Sequence, residues 1–303
     1  MLRYLFLTLV AIFVLMGCGG SERAYRTLQA DLQTVETKID KLRGHLQANR
    51  LTNAIRLTQY SRKIVEIDPS LKDLANTLAL EATPRGLLYK SLVERLGEFK
   101  KTSPLQEASR QDISAASTKL SSIFLASQHE EFNRALADPV NVLADLSQGT
   151  LPRSDAIPSQ SETGVGMEPG TQLVGNPTYG QWQNNSSGRS FWVWYGQYSL
   201  LRNVLGGRNY GYSDWSGNRR YSYYHDYGRQ NYTSPSQATR HQATENRAKQ
   251  KFAREGKTFT SPYARTRAGA SQQVSRAKTR QSSAAASSRS YKQLSSRSSS
   301  RGK

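Results

Sequence analysis

The chain has 303 residues, 36% of them hydrophobic and 21% charged, and a mean hydropathy of -0.67. Its single Cys rules out a disulfide framework within the chain and any Cys-rich zinc or iron-sulfur site, and the presence of only one apolar run rules out a multi-span membrane protein. The 42 Lys and Arg against 23 Asp and Glu give +19, unevenly spread: residues 19–150 hold 18 basic and 16 acidic side chains, residues 151–230 hold 7 and 5, and residues 231–303 hold 16 and 2. Basicity is therefore a property of the C-terminal tail.

Met1 to Arg3 is a short basic start, and Tyr4 to Met16 is almost unbroken apolar sequence ending in Leu15-Met16-Gly17-Cys18-Gly19-Gly20-Ser21. A bilayer span needs about 20 residues, so a run this short suits the hydrophobic part of a signal peptide. With Leu15 three before the Cys, Gly17 just before it and Cys18 itself, the segment resembles the lipobox of bacterial lipoproteins; Met16 is a less usual occupant of its slot. The resemblance implies cleavage after Gly17, diacylglycerol on the Cys18 sulfur and acylation of its new amine. Gly19, where an Asp would favour inner-membrane retention in many Gram-negative bacteria, implies the outer membrane. The competing reading is an uncleaved anchor with an incidental Cys. Residues 1–17 are thus expected to be signal peptide and 18–23 a lipid anchor and spacer.

Downstream, Tyr25, Leu28, Leu32, Val35, Ile39, Leu42 and Leu46 follow the alternating three- and four-residue steps of a heptad seam, which lapses at Asn49 and Asn53. The seam suits either a short coiled coil with a partner or packing on later helices of the same chain. Asp68-Pro69-Ser70, Thr83-Pro84, Ser103-Pro104 and Asp138-Pro139 read as breaks between further helices, with stripes at Leu71, Leu74 and Leu78, at Leu88, Leu92, Leu96 and Phe99, and at Ile113, Leu120, Phe124, Phe132 and Leu136. Residues 24–148 are therefore expected to form an antiparallel helical bundle. The helix-break-helix near Asp68-Pro69 is faintly similar to a tetratricopeptide unit, but no second copy follows at the required period.

Residues 149–190 concentrate Pro, Gly, Ser, Asn and Gln and read as a linker. Residues 191–232 follow as a Trp/Tyr-rich segment; all four Trp and ten of the sixteen Tyr fall between Tyr179 and Tyr232. Helical spacing would align Trp194, Tyr198, Leu201 and Leu205. Trp192, Trp194, Tyr195 and Tyr198 are candidates for contact with a membrane interface or sugar rings, and packing on the bundle is the alternative. Residues 233–303, rich in Ser and Arg, read as a disordered basic tail, because so few apolar side chains cannot offset the cost of ordering the backbone. Within it Gln237 to Glu255 is a candidate helix when bound, and Tyr232-Thr233-Ser234-Pro235 is echoed by Phe259-Thr260-Ser261-Pro262.

No constellation for catalysis stands out. Gly256-Lys257-Thr258 lacks the preceding glycines of a phosphate-binding loop, since Lys251 stands where the first would fall. His45, His129, His225 and His241 are dispersed and none has a second His at metal-ligand spacing; Glu130 and Glu131 diverge on a helix. His225-Asp226 is the most site-like pair, because a carboxylate could orient the imidazole. Neither a cofactor nor a metal is expected.

The sequence thus reads as mainly α: a bundle or short coiled coil, an aromatic Gly/Tyr-rich segment, then the basic tail. Residues 190–236, with their Trp-Tyr-Gly and Tyr-Tyr-His-Asp runs, are similar to uncharacterised lipoproteins of Gram-negative bacteria, a similarity that brings no activity. The expected function is a non-catalytic envelope lipoprotein, a scaffold or tether held in the membrane through lipid at Cys18. Its tail, through Arg265, Arg267, Arg276, Lys278 and Arg280, is expected to bind an anionic envelope polymer or lipid. Nucleic acid would attract such a tail as well, but a secreted chain meets envelope anions first. The alternatives are a coiled-coil partner of another envelope protein, or an enzyme acting on cell-wall or lipid sugars through His225 and Asp226.

Overall fold

The heptad seam lies on α1 (Leu2–Gln47), where Leu28, Val35, Ile39, Leu42 and Leu46 are buried and Tyr25 and Leu32 pack at its edge. The partner that covers it is α5 (Arg110–Ser127) of the same chain, with Ile113, Ala116, Leu120 and Ile123 facing it in the core. Lys100 pairs with Glu36 and Tyr89 donates to Ile39 O at 3.4 Å, so α4 (Leu87–Thr102) flanks the same helix. The seam is thus an intramolecular one. The computed structural model describes residues 2–103, 108–154, 169–219, 221–259 and 261–263, with side chains from Ser21 onward apart from Asn218. The backbone of 18–23, expected to be a spacer, continues α1 as helix; the Cys18 side chain lies outside the described residues. No described helix is long and apolar enough to cross a membrane.

The breaks fall where local chemistry demands them. Helix α1 ends as Asn49 takes φ 52°, a left-handed conformation that Asn tolerates, while the N–H of Arg50 returns to His45 O at 2.9 Å. After α2 (Thr52–Ile67), Asp68 accepts from Ser70 N at 2.9 Å and Pro69 opens a 3-10 turn into α3 (Lys72–Ala79). The expected break at Asp138-Pro139 lies two residues earlier: α6 (His129–Ala135) gives way to α7 (Ala137–Leu146) at Leu136, and Pro139 sits in the first turn of α7, where its missing N–H costs nothing. Helix α7 is buried on all sides, from Ala137 through Leu146.

Three expectations fail after Leu146. The linker reading of 149–190 is overturned in its described parts: Leu173, Val174 and Tyr179 are fully buried, and residues 180–184 form a strand. The Pro and Gly residues shape packed turns here, and the polar residues bond inward. Ser154 N–H donates to Asn141 Oδ1 at 2.6 Å, Tyr60 donates to Pro152 O at 3.0 Å, and Thr178 N–H donates to Asn176 Oδ1 at 3.0 Å. Residues 155–168 lie outside the described residues.

Second, the helical alignment of Trp194, Tyr198, Leu201 and Leu205 is broken: Trp194 ends a strand, Tyr198 lies in a 3-10 turn, and the α-helix covers only Leu200–Val204. Strand β1 (Gly180–Asn184) pairs antiparallel with β2 (Ser190–Trp194) in a register that sets Trp182 opposite Trp192, a pairing that aromatic and β-branched side chains favour over a helix. Asn185 closes the hairpin by accepting from Ser187 N–H at 3.1 Å and Arg189 N–H at 2.9 Å. Short helices α8 (Leu200–Val204), α9 (Tyr212–Asn218) and α10 (Arg229–Tyr232) follow, the last preceded by a π-helical turn at Tyr224–Gly228.

Third, the tail does not begin at 233. Helix α11 (Pro235–Arg254) starts with a full capping box: Ser234 Oγ accepts from Gln237 N–H at 3.2 Å, Gln237 Oε1 accepts from Ser234 N–H at 2.9 Å, and Pro235 holds the first turn. His241, Thr244 and Ala248 are buried along one face, so this stretch is ordered by packing that its sparse apolar content concealed. Residues up to Phe259 form one compact unit; from 260 onward only 261–263 are described, where Tyr263 N–H donates to Ser261 Oγ at 3.4 Å.

Candidate functional site

The aromatic segment is joined to the bundle by charged side chains buried between them. Glu81, wholly buried, follows α3 and reaches back to cap the start of α4: Oε1 accepts from Leu87 N–H at 2.9 Å and Oε2 from Leu88 N–H at 3.0 Å. The Tyr198 hydroxyl donates to the same Oε1. Burial pushes the Glu81 carboxyl above its ordinary range, against the pull of these three donors. Beside it the ring of Tyr179 meets that of Tyr198 edge-on, 4.9 Å between centroids.

Asp138 does the same for the later chain. Its carboxylate accepts from Tyr223 N–H at 2.8 Å and Tyr224 N–H at 3.0 Å, 85 and 86 residues away in sequence. Burial raises its pKa to about 7, with Asp226 adding to the rise and the two N–H donors and Arg153 opposing it. Further ties follow this pattern. Asp145 pairs with Arg153 and accepts from Gln172 Nε2 at 3.2 Å; Glu131 accepts from the Tyr223 hydroxyl and from Asn231 Nδ2 at 3.1 Å. Arg95 donates to Asn231 O and to Ser122 Oγ at 3.0 Å, and burial lowers its pKa. Tyr232 donates to Ala126 O at 3.0 Å. Buried groups like these are costly unless satisfied, and here the partners come from distant sequence.

His225 and Asp226, the most site-like pair in the sequence, do not face each other. Asp226 grips Arg219 through two contacts, at 2.6 and 3.1 Å, with both side chains buried. The His225 ring lies edge-on to Trp215, 5.0 Å away, and Nε2 meets Val174 O at 2.8 Å; a carbonyl only accepts, so Nε2 carries the proton. Burial, with Arg219 adding to it, holds His225 far below its ordinary pKa and therefore neutral. The adjacent Gly175 has φ +84°, and a Cβ there would lie 2.7 Å from the Trp215 ring, so glycine is needed at that close approach.

No protein-family model, curated protein or solved structure matches this chain. Of the aromatics expected to touch a membrane or glycan, Trp192 and Tyr198 are buried, Trp194 packs partly against the core and only Tyr195 is exposed. Trp192 instead meets Trp182 at 5.2 Å and Trp194 at 5.8 Å between centroids, and Trp182 continues the cluster to Tyr212 and Trp215. The four residues thus do not form one contact face: the hairpin packs Trp192 against Trp182, Tyr198 is buried beyond it, and Trp194 is half-buried beside the exposed Tyr195. Arg265, Arg267, Arg276, Lys278 and Arg280 lie outside the described residues. Among the described residues no three His, Cys, Asp or Glu side chains gather as they would around a metal ion.

Sequence reading missed Glu81, Asp138 and Asp145. Asp138 precedes Pro139 and reads as a helix cap, while nothing local marks Glu81 or Asp145. A last feature is a surface cleft of about 190 Å³ among the hairpin turn, α9 and α11, lined by Arg189, Asp214, Arg247 and Lys251 among others.

Proposed function

We propose that the chain is an envelope lipoprotein, anchored by lipid at Cys18 and held at the outer membrane, whose body acts as a non-catalytic scaffold and whose C-terminal tail binds anionic envelope components. The observation that carries the reading is the only Cys of the chain, placed directly after a short apolar run with Leu15 and Gly17 at lipobox spacing. Several acyl chains, each contributing about 0.8 kcal/mol per buried CH₂, would make the attachment effectively permanent. The scaffold part is supported by how the buried acids are used: Glu81 and Asp138 hold backbone N–H groups, and Asp145 and Asp226 hold arginines. The tail reading rests on charge, at about 1 kcal/mol per basic residue held near an anionic surface.

Mass spectrometry of the purified protein tests the anchor. The expected product starts at Cys18 and carries a diacylglycerol and an acyl mass; an intact Met1 with a free thiol overturns the reading. For the tail, truncation after Tyr263 in a Cys18→Ser protein, which lacks the acyl chains, is expected to abolish low-salt binding to vesicles of phosphatidylcholine and phosphatidylglycerol, a lipid that carries no phosphate monoester. Undiminished binding would remove the tail from the function.

A further inference from the structure

The cleft on the folded body brings together cations from two separated segments. Arg189 closes the hairpin turn, and Arg247 and Lys251 lie four residues apart on one face of α11, all three exposed. Gly188 leaves room in the wall, Ala248 is buried beneath, and Ser190, whose hydroxyl donates to Asn184 Oδ1 at 2.7 Å, Tyr212 and Ser213 complete the lining. Neither Arg189 nor Arg247 takes part in an ion pair among the described residues. Lys251 has only a long contact, 3.6 Å, to Glu255, a carboxylate that Lys257 holds more closely at 3.0 Å. The one acid in the lining, Asp214, lies folded against Gly211, where its Oδ2 would be 3.1 Å from an added Cβ. The lining therefore carries three cations and one carboxylate, and the like charges around so small a space repel one another until an anion enters.

We infer that this cleft is a binding site for a phosphate monoester, with Arg189, Arg247 and Lys251 as its charged ligands. A phosphate monoester carries a charge of about -1.5 to -2 at neutral pH and presents three acceptor oxygens, which matches the excess charge and the number of donors. The volume, about 190 Å³, is below the roughly 300–1,000 Å³ of drug-sized sites, so the phosphate can bring only a group the size of glycerol or a small sugar. The site lies within residues 188–251 and depends on neither the lipid anchor nor the tail.

Calorimetric titration of the full-length protein with glycerol 3-phosphate at fixed ionic strength tests this, with glycerol as the uncharged control. The comparison protein carries Arg247→Gln and Lys251→Gln, two exposed positions whose replacement leaves the fold in place, as an unchanged Tm will verify. Flotation with vesicles of phosphatidylcholine containing phosphatidic acid, which offers the same monoester on a lipid, forms the second arm, with Cys18→Ser in both proteins so that no acyl chain attaches them to the vesicles. The substituted protein is expected to bind at least tenfold more weakly in one arm. Weakening toward glycerol 3-phosphate assigns the site to a soluble ligand, and weakening confined to vesicles assigns it to a membrane headgroup. Equal behaviour of the two proteins in both arms overturns the inference, because the tail, common to both, would then account for all phosphate binding.

Discussion

Tyr198→Phe probes whether the aromatic segment is part of the same cooperative unit as the bundle. The substitution removes one buried hydroxyl with little change of shape and leaves Glu81 with its two backbone donors. A hydrogen bond to a charged group contributes about 1.5–3 kcal/mol, so a loss of about 2 kcal/mol is expected. For a unit of this size that corresponds to a fall in Tm of roughly 4–8 °C. Glu81→Gln keeps the acceptor for Leu87 N–H and the phenol but turns an amide NH₂ toward Leu88 N–H, at a cost of about 1–3 kcal/mol. Combining the two should reveal a coupling of about 1 kcal/mol, since the residues touch. Urea unfolding should be followed both by Trp fluorescence, which reports only on the part after the bundle because all four Trp lie between 182 and 215, and by far-ultraviolet dichroism, which reports on the helices. Coincident transitions in the wild type and a shared shift in the variants are expected. A cost below about 0.5 kcal/mol for Tyr198→Phe, or a fluorescence transition preceding the loss of helix, would refute the idea that Glu81 and Tyr198 weld the two parts together.

Two further outcomes follow from buried groups. Burial, with Arg229 and Arg240 nearby, holds His241 down to about 4, below its ordinary 6.5, so the stability linked to its neutral form is present above pH 6.5 and is lost as pH falls toward 4, by up to about 3 kcal/mol. Asp138, raised to about 7, acts in the opposite sense, its contribution being lost as pH rises through 7. The isolating comparison is therefore His241→Leu against wild type: the variant should gain relative stability between pH 6.5 and 4 in urea titrations, and parallel pH profiles would contradict the assignment. Gly175→Ala places a methyl 2.7 Å from the Trp215 ring at φ +84°, for an expected cost of about 2–4 kcal/mol and an altered Trp emission. A cost under about 0.5 kcal/mol would show that the Trp215 and His225 rings yield there.

The bundle was legible because helical periodicity and Pro-marked breaks are local signals: the Asp68-Pro69 turn and the seam from Tyr25 to Leu46 follow directly from residue spacing. What remained hidden is non-local. Whether the seam paired with a partner or with α5 depends on what Ile113 and Leu120 meet, and spacing cannot decide that. The segment 149–190 looked like a linker because its Pro, Gly and Asn residues are typical of spacers; its few apolar residues, Leu173, Val174 and Tyr179, are the ones that go into the core. Charged residues misled in a similar way. Glu81 and Asp138 are exposed by composition and buried in fact, because their partners lie as far as 117 residues away in sequence. Helix α11 could have been found from Ser234, Pro235 and Gln237, which spell a capping box, despite the low apolar content that follows.

The unbroken course of α1 bears on how a lipid at Cys18 would hold the molecule. That position lies only seven steps along the helix before Tyr25, the first side chain seated at the seam, and at 1.5 Å per helical residue this is a reach of about 10 Å. Such a leash has almost no slack. The body would stand on its first helix like a flag on a mast, with little freedom to swing away from the headgroups, and whatever it meets it would meet at the bilayer surface.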